Sequence, residues 1–336
     1  MAMKSAIYTI ADIGQAHDGS IEAAHAYIDM LSTTGVDAAK FQIHIAEAES
    51  SVFEPFRIQP SREETRMEYW KRMAFTLEEW AGLKTHCEDT GLGFLATPSS
   101  IQAVELLEKL HVEKFKIGSG DTCNLLMLDK ISKTRKELII STGMSCIAEL
   151  DQTCAFLQKR NTAYTLLQCA SAYPSTEAQW GLNQIRYLRE RYQVPTGFSD
   201  HSGDVFACLA AATLGASILE FHVISHKDDP TPDASSSLTP GQIKMLIEGV
   251  RKIEAAIQQP IDKKVNTQYG FMKGIFEKSL SVNKALPVGH ILTLNDLETK
   301  KPRGKGIPVE RYEEVIGKTL NKNLSQWDFI TENDII

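Results

Sequence analysis

The sequence predicts a (β/α)8 barrel followed by a small β-rich module, and three features carry that prediction. Between residues 6 and 257, eight short runs rich in β-branched and aromatic residues alternate with longer helical patterns. Seven of those eight runs carry a hydrophilic side chain at the carboxyl end, Asp12 and Ser119 among them. Residues 279–336 lack this alternation and instead repeat themselves, Asn283 recurring as Asn321 at an offset of 38.

The strand candidates are Ala6–Gly14, Ala38–His44, Gly93–Ser99, Lys114–Gly120, Glu137–Gly143, Tyr164–Ser171, Pro195–Asp200 and Ile218–Ile224. Helical windows lie between them at Ser20–Thr33, Leu77–Thr90, Ile101–Leu110, Ala148–Arg160, Gly181–Tyr192 and Asp204–Leu214. A last helix fits Pro240–Gln258, with Thr239 as N-cap ahead of proline at the first helical position. Eight such units in about 250 residues describe a closed barrel. A doubly wound open sheet is the alternative, and the polar strand ends argue against it. Asp12, Thr97, Ser119, Ser141, Ser171, Ser199 and His222 close seven strands. The other strand carries Lys40 and Gln42 two apart, hence on one face, and the last strand repeats this with Glu220 and His222. Barrel enzymes hold their chemistry at that end.

The barrel is expected over 1–258, a linker over 259–278 and a capping module over 279–336. In the module, Asn283-Lys284-Ala285-Leu286 recurs as Asn321-Lys322-Asn323-Leu324, and Thr293-Leu294-Asn295-Asp296 as Thr331-Glu332-Asn333-Asp334. Nothing in the barrel sequence looks like a long lid, so the module is the expected lid.

Composition narrows the function. Hydrophobic residues at 43% and charged residues at 24% suit a globular domain, and a net charge of −7 excludes a general nucleic-acid binder. The longest uncharged stretch, Val205 to Leu219, is too short for a membrane span. No leader is visible after Met1, and six cysteines without CxxC spacing suit reduced thiols. A cytoplasmic protein with neither nucleic-acid nor membrane partner is expected.

Lys40 and Lys116, with hydroxyls at Thr97, Ser119, Ser141, Ser171 and Ser199, form the largest chemical group. One serine at a strand end is ordinary loop capping. A ring of them with two ammonium groups is a receptor for a small phosphorylated or carboxylated anion. Gly118-Ser119-Gly120 adds backbone amides that approach oxygen closely. His201 and His222, ending adjacent strands, suit a divalent metal with open positions, and Glu220 is placed to support them. Asp12, Asp121 and Asp233 supply carboxylates, and Asp121 is the strongest candidate for proton transfer.

These residues carry a resemblance. Ile10-Ala11-Asp12-Ile13-Gly14, followed by His17 and Gly19, resembles the E-I-G-x-N-H-x-G opening of the sialic acid synthase family. Ala39-Lys40-Phe41-Gln42 is similar to its V-K-x-Q, Ala96-Thr97-Pro98 to its S-T-P, and Lys116-Ile117-Gly118-Ser119-Gly120-Asp121 to its K-I-G-S-G-E. Ser141-Thr142-Gly143-Met144, the Cys169 to Pro174 segment, Ser199-Asp200-His201 and Glu220 with His222 follow in family order. The C-terminal module resembles the family's antifreeze-like (SAF) domain.

The resemblance implies condensation of phosphoenolpyruvate with a 2-acetamido sugar aldehyde, giving a nonulosonic acid and phosphate. It implies that Lys40, Gln42, Thr97, Lys116, Ser119, Ser141, Ser171 and Ser199 hold phosphoenolpyruvate. His201 and His222 would bind the metal, Mn²⁺ ahead of Mg²⁺, Co²⁺ or Fe²⁺. Asp12, Lys116, Asp121 and His222 form the implied catalytic set. Tyr173, Asp233, Lys301 and Arg303 would meet the sugar, with the cap reaching across a homodimer. Several positions depart from the pattern: Asp12 and Asp121 replace Glu, Ala16 replaces Asn, and Lys301 stands where the family has Arg. A catalytically altered homologue with a carbohydrate-binding or scaffolding role is therefore the second reading.

Overall fold

Alternating side chains organise the fold in a computed structural model that describes residues 7–58, 62–229, 231–264 and 267–336. Eight strands arise where period-two patterns were read: β1 (Tyr8–Gly14), β2 (Ala38–Ile43), β3 (Gly93–Pro98), β4 (Lys114–Ile117), β5 (Glu137–Ser141), β6 (Tyr164–Cys169), β7 (Thr196–Asp200) and β8 (Ile218–Val223). They pair in the order β3-β2-β1-β8-β7-β6-β5-β4, and β3 lies beside β4, so the parallel sheet nearly closes on itself. A short strand, β9 (Ser237–Leu238), joins the edge of β8. This is the predicted barrel, not an open doubly wound sheet.

Inside the barrel, Ile10, Leu95, Ile139, Leu167 and Ile218 pack into one apolar plug. The neighbouring positions, among them Ala11, Phe41, Ile43, Phe115 and Phe221, belong to the larger core shared with the surrounding helices. A main helix separates each strand from the next and one follows β8: Ile21–Ser32, Leu77–Asp89, Ile101–Lys109, Leu125–Ser132, Ile147–Lys159, Asn183–Tyr192, Phe206–Thr213 and Pro240–Gln258, with two further helices between β2 and Leu77. Local chemistry starts several of them. Ser20 accepts the Ala23 amide, Ser100 accepts the Ala103 amide, and Thr76 forms a capping box with Glu79.

Strand register brings the polar ends together. Asp12 lies opposite Lys40 on β2 and His222 on β8, Gln42 opposite Thr97, and Ser199 opposite both Cys169 and Glu220. Three strands stop two or more residues short of their predicted ends. β4 gives way to a 3-10 turn at Ser119–Asp121, β5 ends at Ser141, and β6 ends at Cys169, two residues before Ser171. Glycines at 118 and 143 and the turn before Pro174 stop the ladder there, since backbone turning into the mouth cannot also stay in register.

The segment after β2 departs most from expectation. It carries helices Ala46–Glu49 and Arg66–Met73, which the charged sequence had hidden. Tyr69, Trp70 and Met73 bury one face against Ala46, while His44 stacks on Trp70 at 3.7 Å and meets Glu49 at 2.7 Å. The expectation that no barrel segment resembles a lid is therefore corrected: this arm reaches the mouth. Ala6, the predicted start of the first strand, and Met1, where a leader was sought, lie outside the described residues. So does Pro230 of the loop before Asp233.

The chain divides into two compact units between Gln259 and Pro260. The predicted linker is not featureless, because Gly270–Phe276 forms a helix within the second unit. In that unit β10 (Ser279–Val282) runs antiparallel to β11 (Leu297–Lys300), over a core of Leu280, Leu286, Leu292, Ile307, Leu324 and Ile330. The repeat is realised bond for bond. Asn283 donates to the Asn295 carbonyl at 2.9 Å and Asn321 to the Asn333 carbonyl at 2.7 Å. Lys284 pairs with Asp296 and Lys322 with Asp334, while Leu286 bridges its own counterpart Leu324. Among the described residues, no helix is long and apolar enough to cross a membrane.

Candidate active site

At the carboxyl end of the strands lies a cavity of about 470 Å³. Its walls include every barrel residue singled out from the sequence: Asp12, Lys40, Gln42, Thr97, Lys116, Ser119, Asp121, Ser141, Ser171, Tyr173, Ser199, His201, His222 and Asp233. Lys301 and Arg303 belong to the second unit. There Arg303 pairs with Glu277 and Glu310, whereas Lys301 sits 4.9 Å over the Phe276 ring with no acidic partner among the described residues.

The floor is an alternating cluster of charge. Lys40 meets Asp12 at 2.7 Å, and the Lys40 and Lys116 ammonium groups converge on one oxygen of Glu220, at 3.8 and 3.3 Å. Lys116 also donates to Ser141 at 2.8 Å, and Ser199 donates to the same Glu220 oxygen at 2.9 Å. The other Glu220 oxygen is buried without a hydrogen-bond partner among the described residues. Both lysine side chains are under 5% exposed. Burying unpaired ammonium groups would be prohibitive, so the acids are what make the lysines tolerable here.

Burial and neighbouring charge set the protonation of this cluster. Burial alone would raise the Asp12 carboxyl, but Lys40 and then His222 hold it below the ordinary range. Burial opposes charge on Lys40, yet Asp12 and Glu220 raise it above the usual lysine value. Lys116 is pushed down, by burial first and by Lys40 against the pull of Glu220. It is the floor cation most in need of an anion. Asp121 is raised by burial, although Asn124 donates to it at 2.9 Å. A raised carboxyl beside an anion pocket suits a proton donor or acceptor.

Above the floor, His201 and His222 face each other with ring centroids 5.2 Å apart, and Tyr173 lies 4.3 Å from His201. The Ala170 carbonyl takes His201 Nδ1 at 2.8 Å, and Asp12 approaches His222 Nδ1 at 3.6 Å. The Ala170 contact leaves Nε2 of His201 for a ligand. No cluster of three or more His, Cys, Asp or Glu suited to a metal occurs among the described residues. The donor set therefore fits a divalent ion only as a two-imidazole site completed by water and substrate oxygens.

Sequence reading missed Arg57, Gln15 and the central position of Glu220. Arg57 enters from the arm after β2, donates to Asp233 at 2.5 Å and lies 4.1 Å over the Tyr173 ring. No local pattern marks it, because its partners are more than a hundred positions away. Gln15 sits one residue past the Gly14 turn, where its amide oxygen accepts from Tyr69. Glu220 was legible as a neighbour of His222, but not as the anchor of both lysines.

Comparison with known proteins identifies the family. Residues 27–262 match the NeuB family and residues 277–336 the SAF domain. The chain is 31% identical over 330 residues to the N,N'-diacetyllegionaminic acid synthase of Campylobacter jejuni, covering 96% of this chain and 98% of that one. It is 31% identical over 329 residues to the human N-acetylneuraminate-9-phosphate synthase, covering 97% and 91%. Among solved structures, the N-acetylneuraminic acid synthetase of Leptospira borgpetersenii superposes with a TM-score of 0.69 at 26% identity, covering 79% of this chain and 90% of that one. With its barrel, its charged floor and its C-terminal module all accounted for, this chain belongs to the NeuB family of sialic-acid-type nonulosonic acid synthases, phosphoenolpyruvate-dependent transferases with a C-terminal SAF domain.

Proposed function

We propose that the protein condenses phosphoenolpyruvate with an N-acetylmannosamine-type 2-acetamido aldose, releasing inorganic phosphate and a nonulosonic acid. The paired ammonium groups of Lys40 and Lys116 over Glu220, ringed by strand-end hydroxyls, carry this reading. Phosphoenolpyruvate offers both a phosphate and a carboxylate, and two buried cations with Thr97, Ser119, Ser141, Ser171 and Ser199 match those oxygens. Gln42, within 3.4 Å of Asp12, keeps that carboxylate aimed at the floor.

Carbon three of phosphoenolpyruvate attacks the sugar aldehyde, water adds at carbon two, and phosphate leaves to give the 2-keto acid. Asp12 faces the cation that develops at carbon two, and Asp121, with its raised carboxyl, exchanges the proton of the attacking water. His201 and His222 are the residues that would hold a divalent ion, Mn²⁺ ahead of Mg²⁺, Co²⁺ or Fe²⁺. When bound, such an ion supplies Lewis-acid polarisation of the aldehyde. Tyr173 and Asp233 orient the sugar.

The protein works in the cytoplasm as a homodimer, each SAF unit capping the partner's barrel with Lys301, since Arg303 is already held by Glu277 and Glu310. Phosphate release from phosphoenolpyruvate across a panel of aldoses with Mn²⁺, with mass spectrometry of the product, tests the proposal. Aldose-dependent release with formation of a nine-carbon acid supports it, and no release with any aldose overturns it.

A further inference from the structure

We propose that Arg57 is an aldose-recognition residue, delivered to the mouth by the arm after β2; this assignment rests on the synthase reading above. The arm is built to hold that side chain in place. Three residues before it, Glu54 accepts from Ser50 at 2.5 Å, Arg66 at 2.7 Å and Trp70 at 3.1 Å. One residue before it, Phe56 meets Tyr69 edge-on at 5.9 Å and lies beneath the Arg66 guanidinium at 5.1 Å. Arg57 thus leaves a braced backbone and reaches residues of the loops after β6 and β8.

Its contacts leave the guanidinium partly unused. A guanidinium has five N–H donors in a fixed fork. Among the described residues, its hydrogen bonds run through Nη2 alone, to Asp233 at 2.5 Å and to the Pro232 carbonyl at 3.3 Å. Donors on Nε and Nη1 remain for another acceptor, and the side chain is 41% exposed. Its plane covers Tyr173, which in turn lies against His201. The guanidinium thus borders the imidazole pair through Tyr173, and its hydrogen bonds and ring contact involve neither Lys40 nor Lys116 among the described residues. The second substrate, whose hydroxyl and acetamido oxygens are acceptors, is the ligand that such donors suit. The Asp233 contact contributes as well: burial would raise this carboxyl, but His222 and Arg57 keep it low, so it stays an acceptor for a sugar hydroxyl.

The test is steady-state kinetics of the full chain with each substrate varied in turn, comparing wild type with Arg57→Gln and Arg57→Lys. N-acetylmannosamine and its 2,4-diacetamido-6-deoxy relatives serve as aldose probes. Arg57→Gln is expected to raise the aldose KM roughly ten- to a hundredfold, the loss of a charge-assisted contact, with the phosphoenolpyruvate KM unchanged. Arg57→Lys keeps the charge without the fork and should fall between wild type and Arg57→Gln. An active wild type whose Arg57 variants retain its aldose KM, or shift both KM values equally, overturns this assignment alone. A wild type that releases no phosphate with any aldose overturns the synthase reading and the assignment with it. Thermal unfolding of the variants at the wild-type temperature separates lost recognition from a loosened arm.

Discussion

Lys40 and Lys116 reach the cavity floor from β2 and β4, yet both point at one oxygen of Glu220. Lys116 is the more informative to remove, because burial disfavours its charge and a bound anion would favour it. Lys116→Met keeps the aliphatic stem, so packing changes little while one charge-assisted contact is lost. Phosphoenolpyruvate binding measured by calorimetry should weaken roughly ten- to a hundredfold. Unchanged binding would move the anion site elsewhere. The imidazole pair yields a second prediction: chelator-treated protein loses synthase activity, and added Mn²⁺ restores it to wild type but not to His201→Ala. Full activity after exhaustive chelation would remove the metal from the reading.

Among the strands, β7 tolerates least change at Gly197. A Cβ there would meet the Ile218 carbonyl oxygen at 2.4 Å and Leu167 Cδ2 at 2.6 Å, so the glycine allows β8 and the interior plug to close in. Gly197→Ala should destabilise the protein by about 1–3 kcal/mol, the usual effect of overpacking. Denaturant unfolding checks this, and an unshifted midpoint would contradict it. In the SAF unit, the duplicated turns predict acid sensitivity. Burial would raise the Asp296 carboxyl, but His290, Lys284 and Thr293 hold it well below the ordinary value, and Lys322 and Thr331 do the same for Asp334. A carboxyl lowered in the folded state stabilises fully above its unfolded pKa of about 3.9 and loses that contribution as pH falls toward the folded value. Amide protection over residues 279–336 of the full chain, taken relative to the intrinsic exchange rate at each pH, should therefore fall below about pH 4. Asp296→Asn should flatten that dependence; exchange independent of pH-driven unfolding would refute it.

At the scale of the whole molecule, the proposed exchange of caps between subunits has a direct test. One variant lacks Lys116, and the other lacks both Lys301 and Arg303. In a swapped dimer, each mixed dimer pairs one intact barrel with one intact cap, so partial activity returns after subunit exchange. Background activity despite demonstrated exchange means that the cap acts within its own chain or not at all. A wholly monomeric protein that is active removes the swap altogether.

The barrel was readable along the chain because strands and helices announce themselves through local periodicity, and the polar strand ends sit at fixed phase within each strand. For the same reason the site's composition was legible: once register is set, Asp12, Lys40, Thr97, Ser199 and His222 have nowhere to go but the mouth. The repeat in the SAF unit was equally plain, since identical residues at one offset make identical bonds. Only the tertiary structure decided the rest. The helix Arg66–Met73 is too charged to look buried, and it forms because Trp70 finds His44 and Glu54. Glu220 gained its place from two lysines on strands far from its own, and Arg57 from an aspartate 176 positions away. Such contacts depend on where a loop returns after leaving the sheet, and no periodicity within the loop encodes that path.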